Sequence, residues 1–133
     1  MFFPKNRALA ESTVFGARRI VERFREEGVP VKSVSAIGGI ARKSPFIMQM
    51  CADVFGLPIK TPAVEQACAL GGAMFAAVAA RVHPDLNTAM EKMGAGVDRV
   101  YEPIPENSAR YENEYRRYLA LGQLLEEEAM KHV

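Results

Sequence analysis

The chain has 133 residues, 49% apolar and 25% charged, with a formal charge of +1. That is one domain's worth of ordinary globular composition, able to bury a real core. The near-neutral balance gives no electrostatic case for nucleic acid or an anionic membrane, and no apolar run approaches the roughly 20 residues of a membrane span.

Residues 6–27 read as an amphipathic helix. Leu9, Ala17, Ile20, Val21 and Phe24 fall at helical spacing on one side, Arg18 and Glu22 can pair on the other, and Gly28 and Pro30 end it. Residues 31–37 read as a strand with little polar exposure, from Val34, Ala36 and Ile37. Gly38-Gly39 stops that strand, and Ser44-Pro45 supplies an N-cap and a first helical position for a helix over 45–55. Its apolar stripe is Ile47, Met50, Cys51 and Val54, and Gly56 caps it. Gln49 and Asp53 share the other face, which is either solvated or available to a ligand. Leu57–Lys60 reads as a short strand ended by Thr61-Pro62.

From Glu65 to Arg81 the chain reads as a helix crowded with alanine, with Gly71 and Gly72 adjacent inside it. A glycine inside a helix costs about 1 kcal/mol relative to alanine. Close packing of a buried helix, or a ligand, is the expected reason for the pair. Residues 85–93 read as a short helix capped by Asp85 or Asn87 and stopped by Gly94, and 94–96 as a loop. Val100–Pro105 is extended, because proline restricts itself and its predecessor. A last helix, about 108–131, carries Tyr111, Tyr115, Tyr118 and Leu125 along one side, a packing stripe, and Glu126-Glu127-Glu128 near a solvated end.

Cys51 and Cys68 stand alone in apolar contexts. They are expected as buried thiols in a reducing, cytoplasmic compartment. His83 and His132 have no companion at ligand spacing, so no metal site is expected. Met1-Phe2-Phe3-Pro4 is too short for a signal peptide.

Strands alternating with helices imply an α/β fold with parallel pairing and right-handed crossovers. Two strands do not make an adequate sheet. The chain is therefore expected to be part of something larger, or to complete its sheet with another copy through an exposed edge. Ligands of open α/β sheets sit at the carboxyl ends of strands. The Gly38-Gly39 pair is at such an end. It is either a tight turn only, or a stretch of bare main chain on which a flat ring or ribose can lie, with a helix start beyond it that favours an anion. Neither G-x-G-x-x-G nor the phosphate-loop pattern is present.

Three stretches carry a resemblance: Gly38–Met50 with Ala52-Asp53, Glu65–Gly71 continuing to Ala73–Ala77, and the spacing Tyr111, Tyr115, Tyr118. On these the chain resembles the C-terminal portion of the FGGY carbohydrate kinases, most closely their L-ribulokinases, over about residues 7–125. The resemblance implies a partial actin-like (ribonuclease-H-like) ATPase domain, with short parallel strands flanked by helices and a helical C-terminal tail. It implies ATP with Mg2+ in a cleft between two domains and sugar held mainly by the N-terminal one. Gly38 and Gly39 would lie against adenine or ribose. Ile40, Ala41 and Lys43 would line the same edge, Lys43 reaching a ribose or phosphate. Gly71 would mark a close approach to the nucleotide side of the sheet.

Phosphoryl transfer also needs a carboxylate for the substrate hydroxyl and a metal-holding Asp-x-Gly turn. No Asp-x-Gly occurs here. The resemblance therefore implies that residues 1–133 are a C-terminal fragment of the second, nucleotide-binding domain, without catalytic residues of its own, inactive alone and weak in nucleotide affinity. A self-associating interaction module, and the same part of a xylulose or glycerol kinase, are the competing readings.

Overall fold

The computed structural model describes residues 4–131, with side chains described from Asn6 onward. The elements are α1 (Pro4–Glu26), β1 (Val34–Ser35), α2 (Gly39–Lys43), α3 (Pro45–Phe55), β2 (Ile59–Pro62), α4 (Ala67–Ala79), α5 (Leu86–Met93), β3 (Val97–Tyr101) and α6 (Pro105–Met130). No described helix is long and apolar enough to cross a membrane.

The strands form one sheet in the order β1-β2-β3. β1 runs parallel to β2, with Val34 opposite Ile59, as the crossover through α2 and α3 requires. β3 is antiparallel to β2, with Ile59 opposite Tyr101. This third strand was not expected, since residues 94–96 read as a loop and extension only from Val100. Val97 and Val100 are both exposed, so no alternation marks the strand. The first strand is shorter than the expected 31–37, and Ile37 is exposed, although Ala36 N–H still donates to the Lys60 carbonyl at 2.8 Å. The second strand continues through Thr61-Pro62, where the register shifts.

Helix α3 occupies the centre and matches its expected bounds. Ser44 Oγ accepts from Ile47 N–H at 3.3 Å, Pro45 takes the first helical position, and Gly56 ends the helix in the left-handed region at φ 61°. Met50 and Val54, one turn apart, join Val14 and Phe15 of α1 and Tyr111 and Tyr115 of α6. Met48 and Ala52, also one turn apart, join Ala41 of α2 and Ile59 of β2. The helix is thus buried on two faces.

Asp53 is not on a solvated face; it is 3% exposed, at the inner wall of a hollow of about 300 Å³ that Gln49 also lines. Its carboxylate accepts from Gln49 Nε2 at 2.9 Å, Ile104 N–H at 2.8 Å and Asn107 Nδ2 at 2.8 Å. Gln49 also donates to the Glu102 carbonyl at 2.8 Å. The pair therefore fixes where the chain leaves β3 and enters α6.

The first helix buries a different face from the one its spacing suggested. Val14 and Phe15 are in the core, whereas Leu9, Ile20 and Phe24 are exposed. Phe15 packs against the rings of Tyr111, Tyr115 and Tyr118 with centroids 5.6–6.3 Å apart, so the tyrosine stripe packs as expected, while Leu125 lies exposed beyond it. A charged seam closes the α1–α6 contact. Arg18 meets Glu22 at 2.9 Å and Glu112 at 2.7 Å, and its guanidinium sits 4.0 Å from the centre of the Tyr115 ring. The Tyr115 hydroxyl donates to Glu22 at 2.5 Å, and burial together with that carboxylate holds the phenol well above its ordinary pKa.

Helix α4 overturns the expectation of a buried helix. Met74 is its one buried residue among those described, Phe75 is 64% exposed, and a Cβ on Gly71 or Gly72 would meet nothing within 4 Å. Cys68 is likewise exposed, not buried. Cys51 is half-buried, and burial pushes its thiol up to about 11. Asp85, rather than Asn87, caps α5, accepting from Thr88 N–H at 2.8 Å.

Replacing Asp53 strands three donors without their acceptor. Asp53→Ala is expected to cost about 3 kcal/mol in urea unfolding. A loss below about 1 kcal/mol contradicts the anchoring role.

Candidate functional site

The site is built by the passage from β1 into α2. Gly38 has φ 93° and ψ −177°, a conformation essentially closed to residues with a Cβ. It turns the chain sharply out of the strand, so that Gly39 starts α2. Ala41, 3% exposed, then seats α2 on Met48, Ala52 and Ile59. The core thus fixes the position of the glycine turn at the carboxyl end of β1.

Gly39 has no comparable conformational reason. Its φ is not positive, and a Cβ there would meet nothing within 4 Å. Among the described residues, no packing contact explains the missing side chain. Bare backbone at that point is what a ligand lying on the main chain would need.

A cleft of about 520 Å³ opens beside it, lined by Gly38, Gly39, Arg42, Lys43, Glu65 and Gln66. Arg42 Nη2 meets the Glu65 carboxylate at 2.8 Å across the cleft, joining α2 to the connection before α4. The pair is well exposed, at 47% and 75%. Lys43 makes no ion pair with a described residue. The wall therefore carries two cations and one carboxylate beside an uncharged floor of main chain. Such a surface can stack a flat ring and meet an anion; it holds no nucleophile paired with a base.

Of the five residues proposed from sequence, Gly38, Gly39 and Lys43 line the cleft. Ile40 is 60% exposed but lies outside the lining, and the Ala41 side chain points into the core. Gly71 meets no close neighbour. Arg42, Glu65 and Gln66 were not singled out for this role. Their signal was present, since Arg42 lies in the first resembling stretch and Glu65-Gln66 open the second. A hollow of about 450 Å³ along α1 holds Arg19 and Arg23, but these pair with Glu26 at the end of the helix and with Glu27 just after it.

Residues 5–80 match the family model for the FGGY family of carbohydrate kinases, C-terminal domain. The chain is 48% identical over 125 residues to a ribulokinase of Vibrio parahaemolyticus, covering 94% of this chain and 22% of that protein. It is 45% identical over 119 residues to a ribulokinase of Bacillus licheniformis, covering 86% of this chain and 22% of that one. The structure superposes on gluconate kinase from Lactobacillus acidophilus with a TM-score of 0.79 at 27% identity, over 91% of this chain and 24% of the other. The chain thus spans about a fifth of the length of these curated relatives.

The two glycines should separate in a stability measurement. Gly38→Val forces a side chain into a forbidden conformation and is expected to cost about 2 kcal/mol. Gly39→Val meets open space in a helix and should stay within about 0.5 kcal/mol of the parent. Equal losses in thermal unfolding would contradict the distinction.

Proposed function

The chain belongs to the FGGY family of carbohydrate kinases, and on that premise we propose that it forms the adenosine side of an ATP-dependent sugar kinase. Residues 1–133 are then the C-terminal part of the second, nucleotide-binding domain, and L-ribulose is the sugar phosphorylated by the whole enzyme. The observation that carries the nucleotide reading is Gly39, whose missing side chain the chain's own packing does not require, facing a cleft with Arg42 and Lys43 on its wall. The ribulokinase relatives support the choice of sugar, which these residues do not contact in this reading.

The nucleoside end of ATP fits the cleft: main chain for the ring, cations nearby for the anion. Its magnesium is a different matter. Among the described residues no group of three or more His, Cys, Asp or Glu side chains is gathered to hold a metal. The reading therefore assigns no metal ligand and no catalytic base to this chain. ATP supplies the phosphoryl group when bound; Gly38 and Gly39 orient the base or ribose, and Arg42 and Lys43 offset phosphate charge. Positioning of this kind is most of what a phosphoryl-transfer enzyme contributes. The exposed apolar face of α4 and the free edge of β1 are, in the same reading, surfaces that the rest of the kinase covers.

A second reading rests on the free outer edge of β3, where Val97 and Val100 are exposed. Self-association through that edge gives a dimer by light scattering at high concentration, and a monomer contradicts it.

The nucleotide reading is tested by nitrogen–proton NMR titration with magnesium-ADP. Saturable shifts confined to residues 37–44 and 65–66, abolished in a folded Gly39→Val variant, are expected. A folded spectrum that never moves contradicts the assignment to this chain.

A further inference from the structure

The Arg42–Glu65 pair also lines a second, smaller cleft. That cleft, about 220 Å³, is bounded by Arg42, Pro62, Ala63, Val64, Glu65 and Asp98. The ion pair is therefore the partition between two adjoining spaces, the glycine cleft on one side and the end of β2 on the other. Both of its residues are well exposed, and the bridge joins two elements rather than two turns of one helix. An exposed pair of this kind is weak and screened by salt, so a competing anion can exchange for one partner at small cost. Arg42 makes no other ion pair with a described residue, which leaves its remaining N–H donors for an incoming acceptor.

We propose that Glu65 is a built-in competitor for Arg42: the carboxylate occupies the guanidinium that a nucleotide phosphate would otherwise take, and so sets the affinity for the phosphorylated ligand. This rests on the nucleotide reading above and adds a residue that tunes specificity between nucleoside and nucleotide. Glu65 acts in two ways, both of the same sign. It holds Arg42 by direct contact, and it adds negative charge to the wall that a phosphate approaches. A ligand without phosphate feels neither. Bringing the phosphate to Arg42 swings Glu65 away and joins the two clefts into one elongated site, with the ring on Gly38-Gly39 and the anion towards Asp98. That second carboxylate limits how far the phosphate can travel.

The test compares adenosine with ADP, without metal, on the whole chain and on Glu65→Gln, Arg42→Gln and the double variant, by NMR titration. Both substitutions are at exposed positions, and the backbone spectrum reports that each variant stays folded. Glu65→Gln is expected to tighten ADP about threefold, the range of one exposed ion pair, while leaving adenosine unchanged. Arg42→Gln is expected to weaken ADP, again without effect on adenosine, and the double variant to bind ADP more tightly than Arg42→Gln but by less than the threefold gain seen with Arg42 present, because only the repulsion from the carboxylate is left to remove. The Glu65→Gln gain should shrink as salt is raised. If Glu65→Gln weakens ADP, or moves adenosine equally, the pair is a structural tie and the proposal fails while the nucleotide reading stands. If neither ligand moves residues 37–44 in any variant, the nucleotide reading fails and this one with it.

Discussion

The structure depends on one buried carboxylate in the middle of one helix. Asp53 lies on α3, whose two apolar faces hold α1 and α6 on one side and the sheet with α2 on the other. A buried charge is costly unless its hydrogen bonds are made. Asp53 makes three, and all come from neighbours that the fold must position: its own helix through Gln49, the entry to α6 through Ile104, and the first turn of α6 through Asn107. Aimed from that point, α6 brings its tyrosines onto Phe15. The sheet is tied in as well, since Gln49 also holds the Glu102 carbonyl just after β3.

The candidate surface inherits that rigidity. Ala41 is packed on Met48 and Ala52 of α3, so α2 cannot drift, and the Gly38 turn that feeds it is held by strand pairing on one side and a core contact on the other. The result is bare main chain at a fixed place. By contrast, the charged wall of the cleft is built from long, exposed side chains that adjust at little cost. A rigid floor with an adaptable wall suits a ligand made of a flat ring and a flexible charged tail. In the proposed reading, the part of this chain is to hold one reactant in place.

Much of this was legible locally. Ser44, Pro45 and Gly56 bracketed α3 to the residue because capping chemistry lies within a turn of the boundary. The glycine turn and the tyrosine spacing were equally local signals. What failed was non-local. Leu9, Ile20 and Phe24 make a good apolar stripe, yet α1 buries Val14 and Phe15, because the crossing with α3 and α6 decides which face is covered. Helix α4 is apolar all round, as a helix buried in a larger body is, but within this chain only Met74 is covered. β3 has polar and apolar residues both exposed, so only its pairing with β2 defines it. In the site, Gly38 and Gly39 are local signals, whereas Arg42 and Glu65 meet only after the helix, strand and connection between them have folded.

The central claim is that Gly39 is a seat for the nucleoside and not merely the residue after a turn. The most direct measurement is of intermolecular nuclear Overhauser contacts between ADP and the uniformly labelled chain. The account predicts contacts from the adenine or ribose protons to the Gly39 α-protons, in a complex that saturates with the same affinity seen in the backbone shifts. Saturable binding whose contacts fall elsewhere, for instance on Ile20 and Phe24 of the α1 hollow, would contradict it.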